Sequence, residues 1–302
     1  MIPITDLKAL FDRDGFVGPI KLYEPDHARC ILHEIRTYNQ IRDNMLFDND
    51  VNYDRHFDIP PLREHIGHPV IIDALRQIVG NNLLCWRTEF FPKFPKDTGT
   101  EWHQVADYSY ATGSPMLVSS RGPEDNLLDL TVWTAFTDTN EQNGCMKFLP
   151  GSHKQLYYDE RKRPGVGRNA TYGSVTSKTG FFGYEFEDFK IDPNWIPDET
   201  VARAMPMAAG ECVIFSARCV HGSYPNTTER QVRFACTARY TPTHVKVYPG
   251  WRYFQAHGGQ FDLTNYGCVL VSGCDEYGHN RLREYDNLGD RFPYVTDGRG
   301  SS

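Results

Sequence analysis

Several features that would assign this 302-residue chain to a broad class of protein are missing. There is no apolar run near the roughly 20 residues that a membrane-spanning helix needs, and no internal repeat. The first residues lack the basic-then-apolar order of a secretory signal. A formal net charge of −7 argues against the concentrated basic surface of a nucleic-acid-binding protein. These absences predict a cytoplasmic protein that binds neither nucleic acid nor membranes.

Paired cysteines are missing as well. The eight cysteines are scattered, and no two form a Cys-x-x-Cys motif. Most lie in apolar runs, such as residues 212–215. This distribution predicts reduced, buried thiols and not a disulfide framework.

No linker divides the chain, so we predict a single domain over residues 1–302. Helical spacing of apolar residues predicts a helical N-terminal part, about 1–80. Alternating segments then predict strands and turns over about 81–245, hence a mainly β fold with flanking helices, a β-sandwich or jelly roll. Residues 246–302 form a C-terminal extension of weak periodicity, and the polar, glycine-rich segment 164–178 is predicted to be a mobile loop. The predicted helices are 6–12, 25–41 and 69–79, and the predicted strands are 83–91, 128–137, 207–215 and 232–240.

A carboxylate is missing from one telling position. His103, in the run 102–105, is followed 118 residues later by His221, and Arg233 lies twelve residues beyond. Two distant histidines followed by an arginine are typical of a non-haem iron, 2-oxoglutarate-dependent oxygenase. Such sites take a third ligand from a carboxylate two residues after the first histidine, but here that residue is Val105, which has no lone pair to give. Either this is not an iron site, or the missing anion comes from elsewhere.

Two arginines give the constellation some support. Arg233 and Arg239 are six residues apart on a predicted strand, so both face the same way, together with Ala235 and Thr237. Buried guanidinium groups are costly unless they meet anions. A carboxylate suits the guanidinium fork, so the distal carboxylate of 2-oxoglutarate is one candidate partner, and a pair of structural salt bridges is the other.

Longer motifs give the chain a specific resemblance. It resembles the phytanoyl-CoA dioxygenase superfamily and, within it, the non-haem iron halogenases typified by the syringomycin threonyl chlorinase. The resemblance implies a single Fe(II)/2-oxoglutarate oxygenase-type domain with a double-stranded β-helix (jelly-roll, cupin-like) core. The matching runs lie between about residues 50 and 270: 52–56, 84–93, 99–104, 131–138, 143–145, 150–151, 180–184, 221–225, 238–240 and 247–249.

The resemblance also implies cofactors and residue roles. The cofactors are Fe(II), 2-oxoglutarate, O2 and chloride, and the chloride binds iron where these halogenases have alanine or glycine and this chain has Val105. A second departure is Tyr110, where the family type has an asparagine near the halide. The implied iron ligands are His103 and His221; the 2-oxoglutarate contacts are Arg233, Thr100 and Trp133; the halide pocket comprises Val105, Tyr108, Tyr110, Thr131 and Arg239; and Glu89 lines the substrate side.

The resemblance therefore predicts a halogenase that chlorinates an unactivated aliphatic carbon of an amino acid in natural-product biosynthesis. The substrate is expected on a peptidyl carrier protein, or as the free amino acid. The basic run 161–163 is either a surface for the acidic carrier protein or a solvated loop. Three alternatives stay open: a hydroxylase in which Asp107 reaches the iron through a bulge, an enzyme that binds water beside Val105, and a non-catalytic scaffold.

Overall fold

A computed structural model describes residues 6–162, 186–257 and 259–294 of the chain. Within the described residues, four α-helices lie between residues 7 and 79. Three of them begin at proline, whose fixed φ suits the first helical turn. The helix predicted over 69–79 is confirmed, and the one predicted over 25–41 ends three residues earlier than predicted. The helix at Pro60–Ile66 was not predicted. The helices are α1 (Leu7–Asp14), α2 (Pro25–Tyr38), α3 (Pro60–Ile66) and α4 (Pro69–Val79).

The strands form two principal antiparallel sheets. The strands are β1 (Phe16–Lys21), β2 (Leu83–Lys93), β3 (Thr100–His103), β4 (Leu117–Ser119), β5 (Leu130–Ala135), β6 (Met146–Phe148), β7 (Arg203–Met205), β8 (Glu211–Ser216), β9 (His221–Ser223), β10 (Arg233–Pro242), β11 (Val245–Val247), β12 (Tyr253–Ala256), β13 (Gly259–Asp262) and β14 (Val269–Ser272). The major sheet has the order β1-β8-β5-β10-β2-β14, and the minor sheet has the order β3-β9-β6-β7. Two separate two-stranded sheets, β4 with β11 and β12 with β13, complete the described strands.

The two sheets face one another across an apolar core, and helices cover the outer face of the major sheet. Trp133 on β5 and Phe215 on β8 pack in one cluster with Met146 and Phe148 on β6. On the other side, residues of α1 and α4 pack against alternate residues of β5, β8 and β10. Every residue of β5 is therefore buried, as expected of a strand covered on both faces. The predicted mainly β fold with a jelly-roll core is confirmed.

Both edges of the major sheet lie outside the predicted core boundaries. β1 falls within the part predicted to be helical, and it pairs with β8. β14 falls within the predicted extension, and it pairs with β2. Neither was predicted because β1 is interrupted by the Gly18-Pro19 pair and β14 has only four residues, too few for a clear period.

Three further expectations concern the cysteines, membrane-spanning helices and a predicted loop. All eight cysteines are free, and six of them are buried. Among the described residues, no helix has both the length and the apolar character to cross a membrane. The loop predicted over 164–178 lies outside the described residues.

Candidate active site

The two predicted iron ligands lie side by side at the mouth between the sheets. His103 is the last residue of β3, His221 is the first of β9, and the two are directly paired across the strands. Their ring centroids are 4.2 Å apart, and the ring of Phe186 stacks on that of His103 at 4.4 Å. Both histidines line a cavity between the sheets, called the central cavity below, whose wall also includes Val105, Arg233 and Arg239.

Backbone carbonyl groups orient both imidazoles for metal binding. The Nδ1 atom of His103 lies 2.9 Å from the carbonyl oxygen of Glu101, and that of His221 lies 2.7 Å from the carbonyl oxygen of Cys219. These bonds place the proton on Nδ1 and leave the lone pair on Nε2, the arrangement found in metal-binding histidines. Burial lowers the pKa of His103 to about 4 and that of His221 well below its usual value. Both rings are therefore neutral at pH 7, so the pair fits a divalent metal.

The position of the customary third ligand holds an aliphatic side chain. Val105 lines the central cavity, and its N–H donates to the carbonyl oxygen of Ala217 at 2.9 Å. Within residues 6–162, 186–257 and 259–294, no group of three His, Cys, Asp or Glu side chains is placed to hold a metal. In this part of the chain, His103 and His221 could supply two ligands to a metal, and the usual carboxylate position would be left to another anion or to water.

Asp107, the alternative ligand, is engaged elsewhere. One carboxylate oxygen accepts hydrogen bonds from the backbone N–H and the hydroxyl of Ser109. The other accepts from Arg161 at 3.1 Å. Asp107 is not part of the wall of the central cavity, so the structure does not support a hydroxylase site built on it.

A buried carboxyl group holds the segment that follows Val105. The Oε2 atom of Glu160 accepts from the N–H groups of Ala106 at 3.0 Å and Asp107 at 2.8 Å. Burial, and then the nearby charge of Asp107, raise the pKa of Glu160 to about 8. These bonds fix the backbone at Ala106 and Asp107 in the conformation that pairs Asp107 with Ser109 and Arg161.

Arg233 lines the central cavity and has no carboxylate partner among the residues that the structure describes. Its guanidinium group donates to the carbonyl oxygens of Phe91 at 2.7 Å and Gly144 at 3.2 Å, and it lies 5.2 Å from the ring centroid of Trp133. In the described part of the chain, no acidic side chain forms an ion pair with it. Burial lowers its pKa to about 10, so it stays charged at pH 7. A buried cation with neutral partners is suited to an anionic ligand.

Sequence reasoning missed a second buried cation beside Arg233. Lys93 on β2 is the paired residue of Arg233 on β10, and its ammonium donates to the hydroxyl of Ser223 at 3.0 Å. Thr100, a predicted 2-oxoglutarate contact, lines the cavity next to Ser223. The signal for Lys93 is its alignment with Arg233, which requires the strand register and cannot be read from a single sequence.

Arg239 also lines the central cavity and does have an acidic partner. Its Nε and Nη2 atoms donate to one oxygen of Glu89, at 2.8 and 2.5 Å. Burial opposes the charge of both groups, but the attraction within the pair raises the pKa of Arg239 and lowers that of Glu89. Glu89 was predicted to line the substrate side. In the structure it is buried, pairs with Arg239 and is outside the residues that line the central cavity, so its expected substrate-side role stays a prediction.

The remaining predicted pocket residues surround Arg239. Its Nη1 atom donates to the hydroxyls of Tyr108 at 2.6 Å and Thr131 at 2.9 Å, and both hydroxyls donate to the buried carboxylate of Asp129. Thr131 and Tyr110 line the cavity, whereas Tyr108 lies behind it. Asp129 was not predicted, although a charged residue within the apolar segment 128–130 was a usable signal.

The basic run 161–163 is held by the chain itself as far as it is described. Arg161 pairs with Asp107 at 3.1 Å. The ammonium of Lys162 donates to the carbonyl oxygens of Lys190 and Ile191, and Arg163 lies outside the described residues. These contacts favour a structural use of the run over a docking surface.

Comparison with known proteins shows the family of this chain. Residues 11–235, well over half of the chain, match the family described as Phytanoyl-CoA dioxygenase (PhyH). The chain belongs to this family. A probable alpha-ketoglutarate-dependent hypophosphite dioxygenase of Stutzerimonas stutzeri is 28% identical over 164 residues, 54% of this chain and 47% of that protein. An ectoine dioxygenase of Bordetella bronchiseptica is 23% identical over 226 residues, 72% of this chain and 68% of that one. The chain thus spans about half the length of the first of these relatives.

Solved structures match the PhyH-family chain over almost its whole length. The structure of CytC3 with Fe(II) and alpha-ketoglutarate is 36% identical, covers 97% of this chain and 96% of that one, and superposes with a TM-score of 0.74. EctD from S. alaskensis, solved with 2-oxoglutarate and 5-hydroxyectoine, is 14% identical with a TM-score of 0.56, covering 92% and 86% of the two chains. At that identity, the second comparison shows the shared fold alone.

Proposed function

We propose that this protein is an Fe(II)- and 2-oxoglutarate-dependent halogenase that uses O2 and chloride to chlorinate an aliphatic carbon of an aminoacyl substrate. The observation that carries the proposal is Val105, an aliphatic residue in the cavity wall at the usual carboxylate position. Membership of the PhyH family and the similarity to CytC3 support iron and 2-oxoglutarate as cofactors. The halogenase motifs in the sequence support the choice of chloride as the remaining anion.

Charge balance explains why an anion belongs beside Val105. Two neutral imidazoles offset none of the two positive charges of Fe(II). The keto-acid end of 2-oxoglutarate offsets one charge, and the other requires a further anion. Since Val105 cannot supply it and Asp107 is paired with Ser109 and Arg161, a halide is the simplest candidate.

The described residues have separate tasks in this proposal. His103 and His221 would hold the metal, while Arg233 would bind the distal carboxylate of 2-oxoglutarate. Bound iron, with 2-oxoglutarate and O2, supplies the oxidising power to break a C–H bond. Apolar rings such as Phe186 and Phe215 in the cavity wall exclude water, and the position of the substrate carbon relative to the halide would decide the product.

Hydroxylation is the second candidate, and two observations favour it. Valine is larger than the alanine of the halogenases, and close-packed sites respond to a single added methyl group. The charge of Arg239 is also already offset by Glu89 at 2.5 Å, so it attracts a halide less strongly. With water beside Val105, the same residues would support an oxygenase. A non-catalytic scaffold is disfavoured, because it has no use for two oriented, neutral histidines and for a buried Arg233 that has no acidic partner in the described part of the chain.

Mass spectrometry of the products tests the proposal. Candidate aminoacyl carrier proteins and the matching free amino acids are incubated with the iron-loaded protein, 2-oxoglutarate and O2 in chloride, bromide or halide-free buffer. We expect a product that gains chlorine in chloride and bromine in bromide, and none with a His221→Ala control. A product that gains oxygen whatever the halide would overturn the halogenase assignment. The carrier-bound and free substrates, compared side by side, identify the form that the protein accepts.

A further inference from the structure

A buried lysine lies behind the cavity end that contains Arg233. Lys93 is only 6% exposed. Its ammonium donates to the carbonyl oxygens of Thr98 at 2.7 Å and Tyr224 at 3.2 Å, and to the hydroxyl of Ser223 at 3.0 Å. All three acceptors are neutral, so these bonds orient the ammonium without offsetting its charge.

The bond from Lys93 fixes the direction of a hydroxyl relay. An ammonium group can only donate, so Ser223 must accept from it, and Ser223 also accepts from the N–H of Thr100 at 3.2 Å. The one hydroxyl hydrogen of Ser223 then goes to the Thr100 hydroxyl oxygen, 3.0 Å away. Since that oxygen already accepts, the Thr100 hydrogen is available to donate into the central cavity, which Thr100 lines.

Two basic side chains also lie close together at this end of the cavity. Lys93 and Arg233 are paired residues of adjacent strands, and among the described residues neither forms an ion pair with an acid. Burial, and then the charge of Arg233, lower the pKa of Lys93 to about 7. Two buried charges that repel each other are costly, and a ligand carboxylate would relieve that cost.

We propose that Lys93 is a positioning and selectivity residue for the co-substrate: it directs the Thr100 hydroxyl into the cavity and adds a second positive charge, so that the site selects 2-oxo acids with a second carboxylate. This inference rests on the proposed use of 2-oxoglutarate. The selected class is a 2-oxo dicarboxylic acid, and the disfavoured class is a 2-oxo monocarboxylic acid of equal length.

Anaerobic titration of the Fe(II)-loaded protein tests this role. Binding of 2-oxoglutarate and of 2-oxopentanoate, which lacks the second carboxylate, is followed by the visible charge-transfer band. Lys93→Met, close in shape but uncharged, is expected to raise the Kd for 2-oxoglutarate about tenfold or more and to leave that for 2-oxopentanoate within about twofold. Lys96→Met, which removes an exposed lysine paired with Glu229 in the adjoining loop, is the matched control and should change neither.

If Lys93→Met raised the Kd for both acids equally, the role of Lys93 would be structural only. An unchanged Kd for 2-oxoglutarate would show that Lys93 has no role in binding it. Ser223→Ala keeps the lysine charge, removes the relay, and serves if Lys93→Met does not fold. It is expected to raise the Kd for 2-oxoglutarate and not that for 2-oxopentanoate. An equal rise in both Kd values would again contradict the proposal. If the unmodified protein gives no band with iron and 2-oxoglutarate, the proposed function itself fails together with this inference.

Discussion

At the scale of single residues, position 105 decides what binds beside the metal. Its side chain is in the cavity wall, two residues after a histidine whose Nδ1 is bound to a backbone carbonyl. An aspartate at this position would offer the charge that valine lacks. The identity of one side chain therefore separates the two candidate reactions.

Val105→Asp is expected to shift any chlorination toward hydroxylation or to abolish turnover, because its carboxylate would compete with the halide. Val105→Ala, the matched control, restores the residue of the halogenases and should keep or increase the chlorinated fraction. Product mass spectrometry measures that fraction. Unchanged chlorination in the aspartate variant would show that position 105 lies away from the iron.

The affinity for 2-oxoglutarate should depend on pH through Lys93. The free protein has a Lys93 pKa of about 7, and a nearby ligand carboxylate raises it, so binding takes up a proton above pH 7. Affinity is therefore full below pH 7 and falls as pH rises above it. Arg233, with a pKa of about 10, stays charged there, and the nearby carboxylate of Asp97 raises the pKa of Lys93.

The measurement is the 2-oxoglutarate Kd between pH 6.5 and 8.5, in roughly half-unit steps, for the native protein and Lys93→Met. We expect the Kd of the native protein to rise with pH above 7, and that of Lys93→Met to lack this rise. An equal slope in both proteins would assign the dependence to another group.

At the scale of elements, the pairing of β3 with β9 brings the histidines together. Gly222, between His221 and Ser223, lies where a Cβ would be 2.7 Å from the carbonyl oxygen of Thr100 and 3.2 Å from that of Glu101. Both oxygens belong to the opposite strand, so a side chain at 222 would force the strands apart.

Gly222→Ala should therefore lower iron affinity by at least about tenfold, the size of effect seen when the supports of a metal ligand are lost. Iron binding is measured by equilibrium titration, with circular dichroism to check that the protein is folded. Gly289→Ala is the control. That glycine has a φ of +91° but open space around it, so the variant should lose stability and keep its iron affinity. An unchanged iron affinity in Gly222→Ala would show that the close approach of β3 and β9 is not needed for iron binding.

Elements with a strong period could be predicted from the sequence, and short ones could not. The alternation in β10 correctly placed Arg233, Thr237 and Arg239 on the cavity side. The three-residue strands β6 and β7 were not predicted, because three residues cannot display a period. A structural salt bridge was one of the two expectations for Arg239, and it forms with Glu89, but this partner could not be named because it depends on how β2 aligns with β10.

At the scale of the whole molecule, distant parts of the chain are joined by buried polar contacts. Arg63 on α3 donates to Asp286 near the end of the described chain at 2.7 Å. The Asp286 side chain is 1% exposed and that of Arg63 is 14% exposed. The N–H of Asn287 also donates to the carbonyl oxygen of Phe57 at 2.7 Å, so the C-terminal residues close over the N-terminal helices.

Arg63→Met should reduce the free energy of unfolding by about 3 kcal/mol, because it leaves the buried Asp286 carboxylate without its cation. The double variant Arg63→Met/Asp286→Asn removes that charge as well and should recover most of the loss. Denaturant unfolding measures both. A loss of less than about 0.5 kcal/mol in the single variant would place this contact among exposed ion pairs of little effect.

The overall architecture followed from the sequence because a mainly β pattern with flanking helices has few packing solutions. The edge strands of the major sheet could not be predicted, since β1 and β14 lie in segments with weak alternation of apolar residues. The two histidines and Arg233 could be selected from their spacing and the resemblance. Lys93 and Glu160 could not, because each acts on a residue far away in the sequence, whereas Asp129 carried a usable signal that was not read.

The most direct measurement is an anomalous-scattering map of crystals grown with Fe(II), 2-oxoglutarate and bromide. We expect a bromide peak within bonding distance of the iron, on the side of Val105. A protein or water oxygen at that position, with no bromide signal, would contradict the halogenase assignment and favour hydroxylation.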